Sequence, residues 1–103
     1  KDIMKESESV YKKLINDASL PLTEEMLEIL KSRLDKGIKT YGSELRTYNG
    51  RNASQDLLEE IADAVMYAKQ ALMQGEISRN TFNLVFRLFE VIINEQDILR
   101  ELR

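Results

Sequence analysis

Apolar residues recur three and four positions apart through most of this chain, and nowhere do they alternate over a strand-length run. That spacing returns side chains to one helix face at about 100° per residue, so the pattern predicts helices throughout. Over residues 2 to 17, Ile3, Val10, Tyr11, Leu14 and Ile15 predict a short amphipathic helix that stops before Pro21. Thr23 then stands where an N-cap belongs, with Glu24 and Glu25 in the first turn. Met26, Leu27, Leu30, Leu34, Ile38 and Tyr41 predict the buried stripe of a second helix over 23–41. Gly42 is its expected stop, because glycine accepts the left-handed backbone that closes a helix.

A third helix is predicted over 53–74, capped by Asn52 or Ser54 and ended by Gly75. A fourth follows the turn at Ser78 and covers 79–102, with apolar residues at Phe82, Val85, Phe86, Leu88, Phe89, Ile92, Ile93 and Leu99. Its polar side holds Asn83, Arg87, Glu90, Asn94, Asp97 and Glu101. The fold class expected is therefore all-α, most simply a four-helix bundle, as a single domain over 1–103. Residues 43–52 carry turn formers, two arginines and a tyrosine, which reads as an ordered surface loop of the kind that often bears function.

The third helix concentrates the chemistry. Asp56, Glu60, Asp63, Tyr67 and Gln70 fall on one stripe, with Glu59 at its edge. Leu57, Leu58, Ile61, Ala64, Val65, Ala68 and Leu72 cover one flank, Ala62, Met66 and Met73 much of the other, and only Lys69 interrupts them. Acids bordered by apolar residues are expected to look into a partly enclosed space, where their mutual repulsion favours a bound divalent cation. The competing reading is a solvated acidic face, and Asp56 is accounted for by the helix dipole alone.

Composition narrows the options. The chain has 103 residues, no cysteine and no histidine. Disulfides, zinc-thiolate sites, cysteine nucleophiles and histidine bases are excluded, and any metal must be held by oxygen, which points to Mg²⁺ or Mn²⁺. The formal net charge of -3 with scattered basic residues gives no footprint for duplex nucleic acid. No apolar run approaches the roughly 20 residues of a membrane span, so a soluble, cytoplasmic protein is expected. The apolar coverage of the third and fourth helices exceeds what one bundle can hide, which predicts a homo-oligomer, a dimer or larger.

The run Lys36-Gly37-Ile38-Lys39-Thr40-Tyr41-Gly42, then Leu45, Asn49-Gly50-Arg51 and Asp56-x-x-Glu59-Glu60-x-x-Asp63-Ala64-x-x-Tyr67, resembles phage-encoded MazG-like proteins of the all-α nucleoside triphosphate pyrophosphohydrolase group. The likeness covers roughly residues 33 to 74. It implies Mg²⁺ held by an E-E-x-x-E motif on one helix and an E-x-x-D motif on the next, with cleavage of a nucleoside triphosphate to monophosphate and pyrophosphate. Glu60-x-x-Asp63 fits the second motif. The first is matched in letters by Glu24-Glu25-Met26-Leu27-Glu28, although Glu24 and Glu28 lie off the apolar stripe of their helix. Alternatively Glu59-Glu60-x-x-Asp63 is a shortened first motif with Glu90 and Asn94 as partners.

On the enzymatic reading Glu59, Glu60, Asp63 and Glu28 are the candidate metal ligands, and Glu60 and Asp56 the candidate catalytic carboxylates. Lys36, Lys39, Arg46 and Arg51 are candidates for phosphate contacts, and Tyr41, Tyr48 or Tyr67 for stacking on a base. Each has a plainer duty: solubility for the lysines, core packing for Tyr41, a turn at Asn49-Gly50 and an ion pair with Asp56 or Glu59 for Arg51. Asp63 to Leu72 is also similar to a helix of the small all-helical phage sponges that capture cyclic nucleotides and silence bacterial defence signalling. Three readings thus stand side by side: pyrophosphohydrolase, non-hydrolytic nucleotide binder, and helical interaction module.

Overall fold

The computed structural model describes residues 6–101, which form four helices in order: α1 (Val10–Ile15), α2 (Glu24–Tyr41), α3 (Ala53–Met73) and α4 (Arg79–Glu101). Among the described residues the only β pairing is an isolated antiparallel bridge between Ser9 and Arg46. The chain is all-α, as its periodicity required. It divides into two compact units, Lys1–Gly50 and Arg51–Arg103.

In the first unit the helix expected over 2 to 17 starts only at Val10. Residues 2–5 lie outside the described residues, and 6–9 are not helical. They run beside the loop: Val10 N–H donates to the Leu45 carbonyl at 3.2 Å, and Thr47 N–H to the Glu8 carbonyl at 2.9 Å. Side chains complete the clip. The Ser9 hydroxyl donates to Glu44 at 2.6 Å and accepts from Lys12 N–H at 3.2 Å, so one buried serine caps α1 and holds the loop. The helix is short because Ser9 caps it at Lys12 while Ser7 and Glu8 donate their hydrogen bonds to Thr47, some 40 positions on in the loop.

Thr23 caps α2 by accepting from Met26 N–H at 3.1 Å, and Gly42 ends it with φ of 84°. Of the expected α2 stripe, Leu27, Leu30 and Leu34 are half-buried, whereas Met26, Ile38 and Tyr41 are exposed. Helix length explains the shortfall. The six residues of α1 rise about 9 Å against about 27 Å for the 18 of α2, so α1 covers only part of it.

The second unit is a hairpin of α3 and α4. Asn52 caps α3 by accepting from Gln55 N–H at 3.1 Å, and Ser54 donates back to Asn52 at 2.9 Å. At the far end Gly75 N–H reaches the Leu72 carbonyl (3.1 Å) and Glu76 N–H the Ala71 carbonyl (2.8 Å), the paired bonds of a Schellman closure about Gly75 at φ 76°. Ser78 then caps α4 by accepting from Thr81 N–H at 3.1 Å.

Leu58, Ile61, Val65 and Leu72 of α3 and Phe82, Val85, Phe89 and Ile92 of α4 are half-buried, with Ala68 buried among them. Phe82, Phe86 and Phe89 form a row with centroids 6.4 and 6.1 Å apart, and Gln96 ties the hairpin's open end by donating to the Ser54 carbonyl at 2.8 Å. Among the described residues no large side chain is fully buried, and Leu84 (72% exposed), Met73 (75%) and Met66 (64%) face outward. Two helices can bury only the seam between them, which leaves the remaining apolar surface of each uncovered.

Candidate functional site

Immediately before its cap, α3 receives Arg51, whose guanidinium grips Asp56 in the first turns of the helix. Nε donates to one carboxylate oxygen and Nη2 to the other, both at 2.8 Å. This two-pronged geometry matches the planar fork to the planar carboxylate. The hydrogen bonds from Arg51 hold the Asp56 carboxyl below its ordinary value; desolvation opposes them, and the guanidinium's charge adds to the lowering. Asp56, a candidate catalytic carboxylate, is therefore engaged by Arg51, a candidate phosphate contact.

The remaining acids follow along the same helix. Glu59 accepts from the Gln55 amide at 3.1 Å, and Glu59, Glu60 and Asp63 are exposed. Tyr67, the candidate stacking residue, is 69% exposed one turn further on. The stripe lies across α3 from the residues packed on α4. The partly enclosed space expected beside it is not formed by the hairpin, because α4 takes the opposite face, and Met66, Met73 and Leu57, which were to flank it, are exposed themselves. Among the described residues no three acidic side chains come together as a cation site. One copy thus presents carboxylates in a row along a helix rather than converging on a point, and this does not fit a complete Mg²⁺ shell, which demands near-octahedral oxygens at about 2.1 Å.

The alternative partners from the last helix, Glu90 and Asn94, sit about a third and nearly half a turn away from the α4 residues that pack on α3, and Glu90 pairs with Arg87 at 3.6 Å. The hairpin does not bring them to the acidic stripe. In the first unit Glu28 lines a shallow groove of about 580 Å³ with Tyr11, Leu27, Lys31, Ser32 and Asp35, where Lys31 and Asp35 pair at 3.3 Å. Lys36 and Lys39 are exposed on α2. Arg46 is part of the clip: its guanidinium donates to the Ser7 carbonyl (2.8 Å), the Ser7 hydroxyl (3.1 Å) and Glu44 (3.3 Å). Tyr41, read as a core residue, is exposed.

Sequence reasoning missed the clip of Ser7, Ser9, Glu44, Arg46 and Thr47. The signal that was available is Ser9 three residues before Lys12, a capping position that ends any helix starting earlier. Tyr48 adds a feature that no pattern announces, a non-glycine residue at φ 53° in the loop that leads to Arg51. No family model, no curated protein and no solved structure matches the chain.

Proposed function

We propose that this chain is a nucleotide-binding protein whose working surface is the mouth of α3, with Arg51 as phosphate contact and the acidic stripe as the cation-facing side. The observation that carries the reading is the Arg51–Asp56 fork. That pair holds the guanidinium, two-thirds exposed, beside the positive end of a 21-residue helix, where a phosphate competes with Asp56 for the same fork. Tyr67, in the same unit, is the further candidate contact. The reaction implied by the likeness to MazG-like proteins is Mg²⁺-dependent release of pyrophosphate from a nucleoside triphosphate, in the cytoplasm of a phage-infected host. The wall absent beside Glu59, Glu60 and Asp63 is then supplied when copies assemble, giving a MazG-like helical bundle.

A second reading is capture of a linear or cyclic nucleotide without hydrolysis, in keeping with the row in which the α3 acids stand among the described residues. One screen separates the two. Thermal shifts are recorded for a nucleotide panel with and without Mg²⁺, since a ligand stabilises the native state according to its occupancy. Hydrolysis predicts pyrophosphate release that needs Mg²⁺ and disappears in Glu60→Gln and Asp63→Asn. Capture predicts a shift that persists in EDTA, yields no product and is lost in Arg51→Ala. Absence of any shift across the panel overturns both and leaves a helical interaction module.

A further inference from the structure

α4 carries two seams of heptad spacing, and the hairpin uses only one. Phe82, Val85, Phe89, Ile92 and Gln96, at alternating steps of three and four, are half-buried on the α3 side. Leu84, Leu88, Val91, Glu95 and Ile98, at alternating steps of four and three, make a second seam about a third of a turn around the helix. Its four apolar members are exposed. This four-three alternation over two heptads is the spacing that one helix presents to another.

We infer that this second seam pairs with the same seam of a second copy, antiparallel, about a two-fold axis beside Val91. A two-fold interface must be complementary to itself, and about Val91 the row is so at its centre and ends, while Glu95 meets Arg87 and Leu88 meets Asn94 beside it. Leu84 and Ile98 stand seven residues either side of Val91, so each meets the other across the axis. Arg87 and Glu95 stand four residues either side, so each guanidinium of one copy faces a carboxylate of the other, twice. Among the described residues Arg87 has only a long, exposed pairing to Glu90 at 3.6 Å, which competes weakly. The parallel alternative sets Glu95 against its own copy in the middle of an apolar seam, an uncompensated like-charge contact. The sign of that one residue selects orientation.

The inference stands apart from the nucleotide reading: a chain that dimerises this way and binds no nucleotide leaves it intact. The test uses the full chain. Sedimentation equilibrium over a concentration series is expected to show dimer. Arg87→Glu or Glu95→Arg alone raises the dimer dissociation constant roughly tenfold, and the double reversal returns it to within about threefold of the original. Because the chain has no cysteine, single cysteines report orientation cleanly. A short bismaleimide is expected to bridge Val91→Cys to itself, and Leu84→Cys to Ile98→Cys in a mixture. It is expected to leave Leu84→Cys alone unbridged, since those positions lie about 21 Å apart along antiparallel axes. Circular dichroism confirms that each variant stays helical. A monomer at every concentration, failure of the double reversal to restore pairing, or ready bridging of Leu84→Cys to itself overturns the proposal.

Discussion

Ser9→Ala is the sharpest test of the first unit, because one hydroxyl carries two jobs. It accepts from Lys12 N–H at 3.2 Å as the cap of α1, and it donates to Glu44 at 2.6 Å, with Ser9 itself among the few buried residues. Losing an N-cap costs about 1 kcal/mol. A hydrogen bond to a charged acceptor contributes about 1.5–3 kcal/mol, taken at the low end because Glu44 also bonds Arg46 and keeps partial access to water. The two terms share one atom and do not simply add, so the expected loss is about 2 kcal/mol. At about 4–8 °C per kcal/mol for a chain of this size, the midpoint falls by roughly 8–16 °C. Thermal and urea unfolding followed by far-UV circular dichroism measure it. A cycle with Glu44→Gln isolates the clip, and exchange of the Lys12 amide reports the cap. A midpoint that moves by less than about 2 °C, or a cycle with no coupling, would show that the segment 6–9 does not hold the loop as described.

Three further outcomes are expected. Gly42→Ala loses about 1 kcal/mol in urea melts; no atom lies within 4 Å of the added carbon, so the whole cost comes from φ of 84°, and an unchanged melt refutes a left-handed closure of α2. Ala68→Leu costs about 1–3 kcal/mol by overpacking the α3–α4 seam, whereas Met66→Leu on the open face is nearly neutral; equal effects contradict the hairpin packing. Asp56 has a folded pKa below its unfolded value, so its contribution is fully present above the ordinary aspartate range and fades as pH falls through that range toward the folded value. The stability gap between the parent chain and Asp56→Asn therefore narrows on acidification. Carboxyl chemical shifts should show the Asp56 titration rising in Arg51→Gln, and an unmoved titration rules out the fork as its cause.

The caps show how much was legible. Thr23, Gly42 and Asn52 each act within a few residues of themselves; the second and third helices begin and end within one residue of the boundaries their residues announce, and the fourth begins at Arg79 as expected. The first helix was overextended because Ile3 and Val10 are compatible with one helical face, while the partner that draws residues 6–9 out of a helix is some 40 positions away in the chain. Periodicity has no access to such a partner.

For the candidate site the division runs the same way. Which acids share a stripe follows from helix geometry alone, so Asp56, Glu60, Asp63 and Tyr67 were grouped by their order in the chain. Which way the stripe faces was not. The α3 sequence is apolar on both flanks of its acids, and only the docking of α4 picks the Leu58, Ile61, Val65 and Leu72 side to bury, leaving Glu59, Glu60 and Asp63 outward. Arg51 likewise had several acids within reach, and the turn that enters α3 chose Asp56. The sequence by itself determined helix positions, their caps and the face each group shares, because those depend on neighbours along the chain. The tertiary structure alone decided which face is covered, because burial depends on what packs from elsewhere.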